Sequence, residues 1–228
     1  MILVVINMYY SANETQSYKT HLFAYVILQM LLGIAIILAA SSYWFKYCVF
    51  NFGLYSVDDI YSDIEFDDET ISDIQEDCSN DKFNSFTVQD DDGIIRYLSI
   101  NYACKGFCDN IDSIRGASNA MIVMTSFTLV CLVLNVAISI ANIIRPGVVD
   151  KWVYTILGSS ASLLYLLGIC IYVGIGDFSG YNECESAYFN CEDFEVRGGL
   201  ILGPLIGAGL IGVTFYGFAF TQKDCLTN

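Results

Sequence analysis

Basic side chains are scarce in this chain. Ten lysines and arginines stand against 25 acids, and 228 residues include a single histidine, His21, and two prolines, Pro146 and Pro204. His21 stands at the edge of the apolar run that begins at Leu22, which argues against a His-dependent nucleophilic triad, and a single histidine cannot build a histidine-rich metal centre. No Gly-x-Ser-x-Gly elbow and no phosphate-cradling glycine loop occurs either. An enzyme is therefore not expected, and neither nucleic acid nor a small-molecule substrate is expected as a partner. No internal repeat and no Pro-rich or Gly/Ser-rich linker divides the chain.

Charge is also missing in a patterned way. Leu22–Trp44, Gly116–Ile144, Trp152–Gly176 and Gly198–Gln222 carry no charged side chain. Each exceeds the roughly 20 residues that cross about 30 Å of hydrocarbon. Four transmembrane helices are expected at 22–44, 116–144, 152–176 and 198–222. The apolar opening run Met1–Tyr10 is too short to span and lacks the basic flank and cleavage site of a signal peptide. It reads as the start of a cytoplasmic N-terminus, 1–21. Spans without Asp, Glu, Lys or Arg argue against a proton relay or a voltage sensor, though not against a pore lined by backbone or loop carboxylates.

The bases set the orientation. Lys19, Arg145, Lys151 and Lys223 fall on one face, which the positive-inside rule makes cytoplasmic. Both termini, a cytoplasmic loop 145–151 and a tail 223–228 then lie inside. The opposite face holds the acids: 16 against five bases in the first external loop, 45–115, and six against Arg197 in the second, 177–197. The sequon Asn13-Glu14-Thr15 would be usable only with the reverse orientation.

Six of nine cysteines fall in those two loops: Cys48, Cys78, Cys104, Cys108, Cys184 and Cys191. An even number in an oxidising compartment suits up to three disulfides. Cys184 with Cys191 is a local staple, and Cys78 is expected to bridge to Cys104 or to Cys108. Cys131 and Cys170, in mid-span, read as small apolar packing residues, and Cys225 is either a lipidation site or a plain thiol.

Within the first loop, Phe83–Gln89 and Ile94–Cys104 read as strands joined by a turn at Asp90-Asp91-Asp92-Gly93. Phe45–Tyr55 is expected to add a third strand. The acidic insertion 57–77 has Ile60, Ile64, Ile71 and Ile74 at roughly helical spacing, so it reads either as a short amphipathic helix or as a solvated insertion. The Asp run does not make a calcium hand, since Val88 and Ser99 occupy the ligand positions. No cofactor is expected beyond loose Ca2+ binding by loop carboxylates.

In the fourth span, Gly199, Gly203 and Gly207 recur every four residues and leave a face almost bare. Such a face serves either as a seam between protomers or as packing within the bundle. Pro204 lies in the same helix. Gln29, Asn135 and Asn142 read as hydrogen-bonding glue between helices.

Four spans, both termini inside, a long first and a short second external loop and a very short cytoplasmic connection resemble the claudin and peripheral myelin protein superfamily. The nearest local match is Cys104-Lys105-Gly106-Phe107 followed by Asp112 to Met121, which resembles the second loop cysteine of claudins and the entry to their second span. Trp44 and Gly53-Leu54-Tyr55 resemble the family's Trp and Gly-Leu-Trp elements, with tyrosine in place of the last tryptophan and no cysteine three residues on. The resemblance implies a disulfide between Cys78 and Cys104.

It also implies an all-α membrane protein: a left-handed four-helix transmembrane bundle carrying a small, disulfide-stapled extracellular antiparallel β-sheet, mostly of first-loop strands. The expected role is that of a structural tetraspan protein in the plasma membrane, assembling laterally in lipid as a homo-oligomer or within a larger membrane-protein complex, for membrane organisation, cell contact or barrier. The alternative is an auxiliary or pore-forming subunit of a cation channel, with the acidic loops as a vestibule.

Overall fold

The computed structural model describes residues 2–47, 50–54, 56–59, 69–80, 86–89, 95–98, 107–145, 149–150, 152–176 and 195–223. Cys48, Cys104, Cys184, Cys191, Cys225, Ile60, Ile64 and the Asp90–Gly93 turn lie outside the described residues. In chain order the elements begin with α1 (Ile2–Ala40), β1 (Phe45–Tyr47), β2 (Phe50–Phe52), β3 (Ser56–Asp59), β4 (Glu69–Thr70) and α2 (Ile71–Ser79). There follow β5 (Phe86–Gln89), β6 (Ile95–Leu98), α3 (Phe107–Ile144), α4 (Trp152–Gly176), β7 (Glu195–Val196) and α5 (Gly198–Lys223).

Four segments are long and apolar enough to cross a membrane: Tyr18–Ala40, Asn110–Ile144, Trp152–Ile175 and Gly198–Ala219. Hydrocarbon offers no partner for a peptide group, so a crossing chain satisfies its backbone internally, and a helix does this residue by residue. The helices expose large apolar side chains in long runs, which a water-soluble protein rarely does. On α3, Ser118, Thr125, Thr128, Asn135, Ser139 and Asn142 are buried while Val123, Phe127, Val130 and Val133 are exposed. An exposed face of that kind suits an apolar solvent.

Ten of the buried residues of α3 form a heptad seam. Ile111, Ile114, Ser118, Met121, Thr125, Thr128, Leu132, Asn135, Ser139 and Asn142 alternate in steps of three and four, and all are buried. A repeat near 3.5 residues is the signature of left-handed helix packing. At 35 residues and about 1.5 Å each, the apolar part of α3 is about 52 Å long, well beyond a hydrocarbon layer. The helix begins at Phe107, not at Gly116; its first turns carry Asp109, Asp112 and Arg115, charges that on sequence alone mark a loop.

The chain divides into two compact units. The first is drawn from Met1–Ile37, Thr125–Leu166 and Leu205–Asn228, and in it portions of α1, α3, α4 and α5 pack together. Leu22, Tyr25 and Tyr154 form its buried aromatic centre, with Tyr18, Ile138, Ile143, Val213 and Tyr216 against it.

The second unit is drawn from Leu38–Met124 and Leu167–Pro204 and contains all the strands. Five of them pair antiparallel in the order β4-β3-β2-β1-β7. Phe45 sits opposite Phe52 on β2 and Val196 on β7, and the two phenyl rings stack 5.0 Å apart. Because Phe45 and Phe52 are both buried, their segment doubles back on itself instead of supplying one strand. The expectation of a single third strand beside the Phe83–Cys104 hairpin is thus corrected. That hairpin is present as β5 and β6, in the register Phe86 with Leu98 and Gln89 with Ile95, and forms a separate two-stranded sheet. Of the two readings of the acidic insertion, its end takes the helical one: α2 buries Ile71 and Ile74.

The end of α1 is chemically marked. Ser41 and Ser42 hydroxyls donate to the carbonyls of Leu38 and Ala39, at 3.1 and 2.8 Å, and the Trp44 indole N–H donates to Ala39 at 2.9 Å. These bonds satisfy carbonyls that a helix end leaves open. The helix therefore stops at Ala40, and Trp44 lies beyond it, not within the span.

Candidate functional site

The elements outside the spans are held by one covalent and one polar latch. Cys78, on α2, is bonded to Cys108, in the first turn of α3, with Cα atoms 5.6 Å apart. This is one of the two pairings the cysteine positions left open, and not the Cys78–Cys104 pairing that the resemblance implies. Gln75, on α2, donates to the Asp112 carboxylate and accepts from the Arg115 guanidinium. A neutral amide therefore sits between an acid and a base on successive turns of α3 and completes both. Four strands from the chain between α1 and α3 and one from the chain between α4 and α5 share a sheet. That sheet gathers both connections at one end of the helices of this unit.

Also in this unit, the fourth-span glycines receive Trp44. A Cβ at Gly199 would lie 2.3 Å from the indole Cδ1, whereas one at Gly203 would meet the ring at an ordinary 3.5 Å. Trp44 also meets Tyr172 edge-on, with centroids 4.9 Å apart. Its backbone joins the sheet: its N–H donates to Phe52 at 2.7 Å, and its carbonyl accepts from Arg197 at 2.9 Å. In the first unit, Gly207 faces Leu166 and Tyr165. The glycine face is filled by side chains of this same chain.

No protein family and no curated protein matches this sequence. What the structure shows is a chain with four helices able to span a membrane and one disulfide among its described residues. Among those residues no group of three or more His, Cys, Asp or Glu is gathered.

The first unit holds an uncharged polar core that the sequence reading caught only in part. The Tyr25 hydroxyl accepts from Asn135 Nδ2 at 3.0 Å and donates to the Tyr154 carbonyl at 3.4 Å. Asn135 Nδ2 donates to that carbonyl as well, at 3.3 Å. Gln29, one turn along α1, also reaches the hydroxyl. Tyr25 lies between two glycines, since Cβ atoms at Gly158 and Gly217 would sit 3.3 and 3.1 Å from its oxygen. Four helices thus meet at one phenol. Nearby, Asn142 donates to the Tyr154 hydroxyl and exchanges two bonds with the Val149 backbone, at 3.1 and 3.2 Å, closing the short connection between α3 and α4. His21, the lone histidine, is engaged by the Tyr216 hydroxyl at 2.8 Å.

Asn135 and Asn142 do what was expected of them, bonding to neighbouring helices. Tyr25, Tyr154, Gly158 and Gly217 were missed. The signal for them was weak: tyrosines inside charge-free runs, and glycines off the four-residue stripe. Several oxygens of this unit have no protein partner, namely Gln29 Oε1, Thr125 Oγ1, Asn135 Oδ1, Ser139 Oγ and Thr155 Oγ1. Each such group left dry costs about 1–3 kcal/mol, more than the roughly 0.6 kcal/mol an interhelical hydrogen bond contributes on average in a membrane. A groove of about 420 Å³ lies between α4 and α5 in the same unit, its apolar walls from Leu163, Leu166, Ile211 and Phe215 and its hydroxyls from Ser159 and Thr214.

Proposed function

We propose that this chain is a claudin-like structural membrane protein that assembles laterally in the plasma membrane, with its compact acidic end as the contact surface. The observation that carries the reading is the sheet uniting strands of both connections beside a disulfide-latched helix. The four charge-free runs leave the acids in the connections rather than within the spans, which favours a role for those connections as a surface. The disulfide supports an oxidising, extracellular side for this end. The bases Lys19, Arg145, Lys151 and Lys223 support a cytoplasmic placement of the other end and of both termini. Membrane lipid and further copies of the chain are the partners proposed, with no cofactor beyond loosely held Ca2+.

The glycine stripe is not the proposed seam between protomers, because Trp44, Leu166 and Tyr165 already cover it. Lateral association falls to the lipid-facing side chains, and repulsion between acidic ends is moderated by cations in solution. The second reading, a cation-channel subunit, draws on the acids alone: 22 against six bases in the two connections. Blue native electrophoresis after crosslinking in intact membranes separates the two. A ladder of species containing only this chain is expected. A single heteromeric band with a larger channel, or cation current from the purified protein in liposomes, would overturn the structural reading.

A further inference from the structure

We infer that the polar core of the first unit binds internal water, held by Gln29 Oε1, Asn135 Oδ1 and Ser139 Oγ beside the Tyr25 hydroxyl. All three residues are at least nine-tenths buried, at 1%, 0% and 0% exposure, and none of the three oxygens has a protein partner. The orientation of the Asn135 amide is chemically fixed. Its other end faces the Tyr154 carbonyl, which can only accept, so the nitrogen must be there and the oxygen must point away. Both amide hydrogens are spent, on Tyr25 and on Tyr154, and Oδ1 remains as a bare acceptor. Gln29 Oε1 is a second bare acceptor, on a side chain that also reaches Tyr25. Ser139 stands one turn from Asn135 on the same seam, about 6 Å along the axis.

Two acceptors and a hydroxyl call for a ligand that donates at least twice, is small, and carries little charge. Water fits on each count: it donates two hydrogens and usually makes about three bonds when buried. A metal ion fits poorly. The three oxygens are neutral, and no acid lies anywhere from Thr15 to Trp44 or from Gly116 to Ile144 to balance a cation in a low-dielectric core. Polar side chains within a span are commonly satisfied by neighbouring helices or ordered water. Here neither amide oxygen, Gln29 Oε1 or Asn135 Oδ1, has a protein donor.

Hydroxyl-radical footprinting by brief X-ray exposure tests this in proteoliposomes of the full chain, because radicals form where water sits. Oxidation of Tyr25 is expected in the wild type, falling several-fold in the Gln29→Leu, Ser139→Ala double variant. A second readout is the unfolding midpoint of Ser139→Ala alone. If the serine oxygen holds water, removing it lowers the midpoint by about 2–4 °C. If the oxygen is dry, alanine removes an unpaired group and the midpoint rises. Absence of label on Tyr25, or a higher midpoint for Ser139→Ala, would overturn the inference. So would a wild-type midpoint that climbs steeply with Na+ or K+ when either replaces N-methylglucamine, since that would make the occupant a cation.

Discussion

Trp44 sets the tolerance of the fourth-span glycines one position at a time. At Gly199 an added methyl group would collide with the indole ring at 2.3 Å, and the ring is held by its N–H bond to Ala39 and cannot retreat freely. Gly199→Ala is therefore expected to cost about 1–3 kcal/mol through overpacking. At Gly203 the same methyl meets the ring at 3.5 Å, and alanine is the better helix former by about 1 kcal/mol. Gly203→Ala should leave the thermal midpoint in detergent unchanged or raised. A fall of equal size in both variants would mean that the stripe packs against something other than Trp44. The sequence revealed the stripe through its spacing, but spacing says nothing about which side chain lies on it. Trp44 was assigned to the first span because its neighbours are uncharged; the serines at 41 and 42 that stop the helix were the legible sign that it is not.

Charge-free runs located the helices well where loops are short and less well where they are long. Helix α4 runs Trp152–Gly176 and α5 runs Gly198–Lys223, and their segments apolar enough to cross a membrane are Trp152–Ile175 and Gly198–Ala219. The start of α3 was hidden because Asp109, Asp112 and Arg115 look like loop residues, although they sit on a helix that outruns the membrane. The polar seam of α3 was legible in principle from the three-and-four spacing of Ser118, Thr125, Thr128, Asn135, Ser139 and Asn142, but hydropathy averages it away. The seam makes Asn135 more than an incidental polar residue. Asn135→Leu removes two bonds, one to the Tyr25 hydroxyl and one to the Tyr154 carbonyl, which then keeps the Tyr25 hydroxyl as its donor. A loss of about 1–3 kcal/mol is expected, read as a lower midpoint in detergent titration. The latch between α2 and α3 is expected to matter comparably. Cys78→Ser opens a loop closed across 30 residues, which in a chain-entropy account is worth about 3–4 kcal/mol. Protease should then cut the chain between β4 and α3 faster than in the wild type, with α4 and α5 unaffected; equal cutting rates would show that Gln75 with Asp112 and Arg115 suffices to hold α2.

At the scale of the whole molecule, the arrangement of charge decides what the protein can do with its surroundings. An even number of crossings returns the chain to the side where it began, and the pairing of β1 with β7 brings the two long connections together at one end of the helices they join. Under the proposed plasma-membrane orientation, tags on the two termini should both be protected from protease at intact cells and both become accessible on permeabilisation; one tag accessible from outside would mean that the crossings do not number four, and both accessible would reverse the orientation. The two connections carry 22 acidic against six basic side chains, so two membranes facing each other through this protein meet like charge with like. Screening shortens that repulsion to about 10 Å at 0.1 M salt, and it reaches about 30 Å at 0.01 M. Proteoliposomes with this end outward should accordingly stay dispersed at 0.01 M salt and begin to cluster only when millimolar Ca2+ or higher salt is added, as followed by light scattering. The proposed lateral association within one membrane would be less sensitive, because its contacts would lie among lipid-facing side chains rather than between acidic ends. Clustering at low salt without divalent cations would require a basic surface on the opposing copy that the composition of these connections does not provide.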